Sequence, residues 1–233
     1  MAGALVAAVL AYSALHHCCC VRLRDALARR LRPLPPKLAH LLLCWLLRVA
    51  APLALGVELG LTPSEMGYRL PLDWAEAAAL TLALAAANVS VSFALVWVAV
   101  EVLREEGAVK KVSGWPSRVG PRDILEDALW SFPEEAFYRG FVFMGLRPLG
   151  LAPAAVLSSL LFALAHAYAG RAWALMAFLN GVLYSYAIHR TGTVLAPLAL
   201  HCALNASAPL CLRLLRARVA ASLRSEGLPY PRG

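Results

Sequence analysis

Apolar residues in this chain arrive in long blocks. They show neither the alternation of half-buried strands nor the single stripe of a soluble amphipathic helix. Seven segments can be drawn on that basis, at about residues 2–20, 38–57, 74–100, 123–146, 152–169, 172–188 and 193–213. A helix needs roughly 17–25 such residues to cross a hydrocarbon core of about 30 Å. No internal repeat and no strand-like alternation of useful length interrupts them. In lipid, backbone N–H and C=O groups must be satisfied internally, which makes helices the spanning structure. The pattern predicts an all-α, polytopic transmembrane helix bundle of about seven spans, one integral membrane domain over residues 1–233. Segments 38–57, which contains Arg48, and 172–188, which is short, are the ones that would otherwise lie in the interface.

The polar joints between the blocks set an orientation. A basic linker at 22–37 carries Pro33, Pro35 and Pro36, and a second at 101–122 carries Lys110, Lys111, Gly114 and Pro116. The last joints are short, which favours antiparallel neighbours. With the N-terminus outside, the inner side receives 17 Lys and Arg residues and the outer side three, Arg69, Arg147 and Arg190. That bias follows the positive-inside rule. The protein is therefore expected to be integral and multi-pass, with its N-terminus outside and its basic tail, 214–233, cytosolic. Segment 2–20 lacks the basic n-region of a secretory signal and reads as a retained span. Trp74, Trp115 and Trp173 fall near the expected interfaces, as aromatic belts do.

Composition strengthens this picture. The chain is 61% hydrophobic and 15% charged, whereas a soluble domain is about half apolar and about a quarter charged. A net charge of +8 would suit a nucleic-acid partner, but the basic residues lie between apolar blocks instead of on one soluble face. Anionic lipid headgroups, not nucleic acid, are the expected counterpart. The six cysteines include no CxxC pair, so neither a disulfide framework nor a zinc ribbon is indicated. In the run His16-His17-Cys18-Cys19-Cys20, successive helical residues point about 100° apart and cannot converge on one ion. It reads as a buried or palmitoylated juxtamembrane cluster. Oligomeric state is not legible.

Ionisable side chains inside these segments are costly and mark the place to look for chemistry. The fourth segment contains Glu134, Glu135 and Arg139 among aromatics. Glu135 and Arg139 stand i,i+4 with the acid first, the better geometry for a helical ion pair. Glu134 is rotated about 100° away and lacks that partner. Pro133 removes a backbone donor just before it. The fifth segment holds His166, one turn after Phe162, and the seventh holds His201 and Asn205 on one face. Each of these polar groups would be penalised alone, so mutual contact in a polar chamber inside the bundle is the economical arrangement. Arg48, Glu76 and Asn88 read as structural residues that snorkel or pair between helices. Asn180 reads as a cap or cross-bundle hydrogen bond, or as a chamber residue. Ser158 and Ser159 read as packing residues.

Taken in order, the residues resemble the CPBP intramembrane proteases, which include CAAX prenyl endopeptidases and Abi proteins. The motifs carrying the resemblance are Glu134-Glu135-Ala-Phe-Tyr-Arg139, Phe162-Ala-Leu-Ala-His166 and His201-Cys-Ala-Leu-Asn205. The stretch Arg190-Thr-Gly-Thr-Val-Leu-Ala-Pro197 looks like the family's usual entry to the last helix. The likeness covers about residues 120–210. Residues 1–119 are similar only in being apolar and multi-span. It implies endopeptidase activity on a peptide or lipidated protein substrate, with a prenylated C-terminal tail as the family's best-known target.

Peptide hydrolysis needs an activated water and a stabilised oxyanion. Glu134 is the expected base, His166 the residue orienting the water, and His201 with Asn205 the oxyanion donors. Glu135, Arg139 and Phe162 would structure the site. A zinc version, with Glu134, His166 and His201 as ligands, is chemically sound. The chain has no His-Glu-x-x-His, however, and the metal-free, cofactor-free reading is preferred. The rival class is a non-enzymatic scaffold or transporter. A transporter would be expected to show repeated halves.

Overall fold

The computed structural model describes residues 2–30, 35–103, 105, 107–108, 112, 118–211 and 213–215, and for residues 18–30 the backbone alone. All seven apolar segments are helical, and the described residues contain no strand. We label the helices α1 (Ala2–Arg30), α2 (Pro36–Glu58), α3 (Trp74–Val102), α4 (121–149), α5 (Leu151–Ala169), α6 (Arg171–Thr191) and α7 (Leu195–Ala206).

Four stretches are long and apolar enough to cross a membrane: Pro36–Glu58, Trp74–Val102, Leu151–Ala169 and Leu195–Leu215. Length and composition thus mark four candidate spans among the described residues, and the count of seven drawn from the sequence is not confirmed. Among the residues whose side chains are described, the apolar run of α1 is Ala2–His17. Helix α4 carries Asp123, Asp127, Glu134, Glu135 and Arg139, and α6 is bounded by Arg171 and Arg190. The linkers 22–37 and 101–122, with Lys110, Lys111, Gly114, Trp115 and Pro116, and the tail 214–233 fall wholly or partly outside the described residues. So do the side chains of Cys18, Cys19 and Cys20.

Helices α5 and α6 pack along each other, α3 and α7 pack on α6, and α7 closes against α4. Helices α1 and α2 cover α4 from its other side. Gly170 joins α5 to α6 at φ +113°, a conformation that L side chains rarely adopt. Further along α6 a Cβ on Gly181 would sit 2.8 Å from the Ser159 Cβ, so this pair of helices approaches through small residues. Large apolar side chains such as Leu72, Leu82, Leu125 and Leu164 point outward. That distribution suits a lipid solvent.

Helix α4 is the axis of the fold, and its backbone is irregular where proline requires it. Pro133 cannot donate to the carbonyl of Leu129. The indole N–H of Trp45, from α2, donates to that carbonyl instead, at 3.2 Å. From Ala136 to Phe143 the helix widens to π geometry, and all of these residues are buried. Within this stretch the carbonyl of Tyr138 accepts from Ser158 Oγ at 2.6 Å. Ser158 is thus a packing residue, as the sequence suggested. Helix α2 behaves similarly: Leu46–Ala50 forms a π turn just before Pro52, and Tyr12 of α1 donates to the Leu47 carbonyl at 2.7 Å. Each irregularity ties α4 or α2 to a neighbour that supplies the missing partner.

Candidate active site

Glu134 and Glu135 are consecutive on α4, so the helix sends them in different directions. Glu135 is fully buried. Its Oε1 accepts from His201 Nδ1 at 2.8 Å, and its Oε2 lies 3.3 Å from Arg139 Nη1. Arg139 is fully buried too, and among the described residues its guanidinium has no hydrogen-bond partner beyond that ion pair. Aromatic faces surround it instead. Its Cζ lies 4.2 Å from the centroid of Phe162, 5.0 Å from Tyr184 and 5.8 Å from Tyr138. A weakly hydrated planar cation suits such a cage. The i,i+4 pair read from the sequence is therefore present, with an imidazole as third member.

Glu134 has the other surroundings. Its side chain is 23% exposed and lines a cavity of about 660 Å³. Oε1 accepts from Arg48 Nη1 of α2 at 2.8 Å. Oε2 lies 3.9 Å from His166 Nε2. Glu134 is outside the Arg139 pair, as read from the sequence, and its cation, Arg48, comes from 86 residues earlier, outside the reach of helical spacing. His166 Nδ1 donates to the carbonyl of Phe162 at 2.8 Å, which leaves Nε2 as the nitrogen toward Glu134. The Phe162 ring lies between the Arg139 guanidinium and the His166 imidazole, which it meets tilted by 52° with ring centroids 4.3 Å apart. That explains an aromatic residue one turn before the histidine.

His201 and Asn205 line the same cavity. Tyr184 stacks against His201 at 5.9 Å and accepts from Asn88 Nδ2 at 3.2 Å. Asn205 Nδ2 donates to Asp127 Oδ1 at 2.7 Å, and Ser131 lies 3.5 Å from that same oxygen. Asn180 both lines the cavity and accepts from Ser92 Oγ at 3.0 Å. Trp173, read as a belt residue, is instead buried and lines the cavity, while Trp74 is exposed. The structure therefore brings Glu134, Phe162, His166, His201 and Asn205 to one cavity and places Glu135 and Arg139 behind it.

The sequence missed two contributors. Arg48 was visible as a cation inside an apolar block, which needs an anion somewhere. Asp127 lies two turns before Glu134 on α4, near enough in helical phase to face the same way. Among the described residues no group of three or more His, Cys, Asp or Glu, Glu134, His166 and His201 included, is arranged so that it could hold a metal ion.

An all-helical membrane protein with carboxylates, imidazoles and an amide gathered around one internal cavity is the class that fold and site define together. Residues 128–207 match the family described as Rce1-like, type II CAAX prenyl endopeptidase Rce1-like. Over that stretch the chain is similar to the CAAX-type membrane proteases, and with the four apolar helices long enough to cross a membrane this supports an integral membrane protein. No curated protein and no solved structure matches the chain.

Proposed function

We propose that this protein is an intramembrane endopeptidase that cleaves near the C-terminus of prenylated CAAX-type substrates, using a water activated by Glu134. The observation that carries this is the 3.9 Å gap between Glu134 Oε2 and His166 Nε2 on the cavity wall. Polar atoms at such a distance are suited to share a water. Glu134 takes one proton of that water as it attacks, while the other O–H donates a hydrogen bond to His166 Nε2 and stays on the oxygen, which leaves an oxygen lone pair for the scissile carbonyl carbon.

Attack converts the carbonyl to a tetrahedral oxyanion. His201 and Asn205 are its donors. Glu135 compensates an imidazolium at His201 through Nδ1, and Nε2–H then donates to the oxyanion. An amide nitrogen carries two hydrogens, so Asn205 retains one beyond its bond to Asp127. Glu134 returns its proton to the leaving amine as the C–N bond breaks. Water and peptide are thereby consumed, and an acid and an amine are released. No metal takes part in this reading.

The cavity volume of about 660 Å³ is in the range of peptide and small-molecule sites. Its apolar lining includes Phe93, Trp173 and Met176, surfaces suited to a lipidated tail. The orientation inferred from charge, with the tail cytosolic, admits substrate from the inner leaflet. The test uses purified protein in lipid nanodiscs with a prenylated CAAX peptide, its unprenylated form and a panel of leader peptides. Wild type is expected to cleave the prenylated peptide, and Glu134→Gln to bind it without cleavage. Equal cleavage by Glu134→Gln would remove the mechanism, and preference for leader peptides would reassign the substrate.

A further inference from the structure

The segment matching the family begins at residue 128, yet the strongest contact to Glu134 comes from α2. We propose that Arg48 is a positioning residue for Glu134, holding Oε1 so that Oε2 faces His166 and the cavity, and that His16 of α1 steadies Arg48 in turn. This inference rests on Glu134 being the base proposed above.

The geometry divides the carboxylate cleanly. Arg48 Nη1 donates to Oε1 at 2.8 Å, while Oε2 is the oxygen 3.9 Å from His166 Nε2. Arg48 does not line the cavity, so it approaches Glu134 from behind and leaves the reacting side open. Its own placement is fixed in two ways. Arg48 Nε donates to His16 Nε2 at 3.3 Å, and His16, only 8% exposed, packs on Phe137 of α4 at 4.5 Å between ring centroids. The residue also sits inside the π turn Leu46–Ala50. A π turn inserts one residue into the helical register, so it re-aims the side chains it carries, and such turns occur often at functional sites.

The chemical reason follows from symmetry. A carboxylate with two equivalent oxygens and a free χ3 rotation presents its lone pairs over a broad range. A bond to one oxygen removes that freedom and fixes the lone pair at the other. Misplacing a reacting group by about 1 Å can cost about 10²-fold in rate.

The test compares wild type, Arg48→Lys, Arg48→Met, Glu134→Gln and the pair Arg48→Met with Glu134→Gln. Cleavage of the prenylated peptide gives kcat and KM. The carboxylate infrared band lost in Glu134→Gln reports the environment of Glu134 without any turnover. Arg48→Met is expected to lower kcat by about 10²-fold with KM nearly unchanged, and to move the Glu134 band. Arg48→Lys should restore part of both. If Arg48→Met fails to fold, Arg48→Lys carries the comparison, and a folded double variant traces that failure to the uncompensated Glu134 charge. An unmoved band in the Arg48 variants overturns the proposal whatever the rates. So does an increase in kcat on losing Arg48, which would make the pair autoinhibitory. A band that moves while wild type cleaves nothing keeps Arg48 as the orienting group and removes the endopeptidase reading alone.

Discussion

Replacing Arg139 by Met removes a guanidinium that has no contact with solvent. The loss exposes what holds the inner part of the site. Glu135 is fully buried and shares its charge between Arg139, 3.3 Å from Oε2, and His201, 2.8 Å from Oε1. Without Arg139 the carboxylate keeps only the imidazole. Breaking a buried ion pair by removing one partner costs about 3–5 kcal/mol, because the remaining charge stays desolvated. The aromatic cage adds to this, since cation–π contacts are worth about 0.5–2 kcal/mol each; the closest ring, Phe162, lies at 4.2 Å. Arg139→Lys keeps the charge and loses the planar stacking, so its expected cost is nearer the cation–π figure alone. The informative comparison is Arg139→Met combined with Glu135→Gln, which removes both charges. Its cost should fall well below that of Arg139→Met plus that of Glu135→Gln. Reversible unfolding in mixed micelles measures all of these. An Arg139→Met protein within about 1 kcal/mol of wild type, where a buried pair predicts several times more, would refute the reasoning. So would strict additivity in the double variant.

Two further outcomes follow from the cavity wall. Asp127→Ala releases the amide of Asn205, bound at 2.7 Å, and is expected to lower kcat about tenfold, the equivalent of about 1.4 kcal/mol. Asp127→Asn retains an acceptor and should recover part, and an unchanged kcat in Asp127→Ala would detach Asp127 from the site. Exhaustive chelation is expected to leave cleavage intact, because among the described residues no group of three or more His, Cys, Asp or Glu could hold a metal ion. Activity that disappears on chelation and returns only with zinc would reverse that expectation.

The motif residues were legible from the sequence because each is anomalous in its surroundings. A carboxylate pair, a histidine and a His/Asn pair have no business in lipid-length apolar runs unless they meet. Helical spacing then gave the Glu135–Arg139 pair. Spacing said nothing of Arg48, since its partner lies on another helix, and left Asp127 unremarked among the polar residues at the start of α4. It also treated Trp173 as a belt residue, whereas burial against the cavity decides its role. The span count was read from block length, and four of the seven blocks meet the length and composition of a span among the described residues.

Residue order by itself determined that the chain is helical and lipid-embedded, because block length, hydropathy and the demand for internal hydrogen bonds are properties of each segment taken alone. It determined which polar residues must find partners. Which partner each one found was decided only by the packing of α1, α2 and α7 around α4, which sets Glu134 on the cavity and Glu135 in the core. Electrostatic pairing acts through space over a few ångströms, and distance along the chain does not encode it.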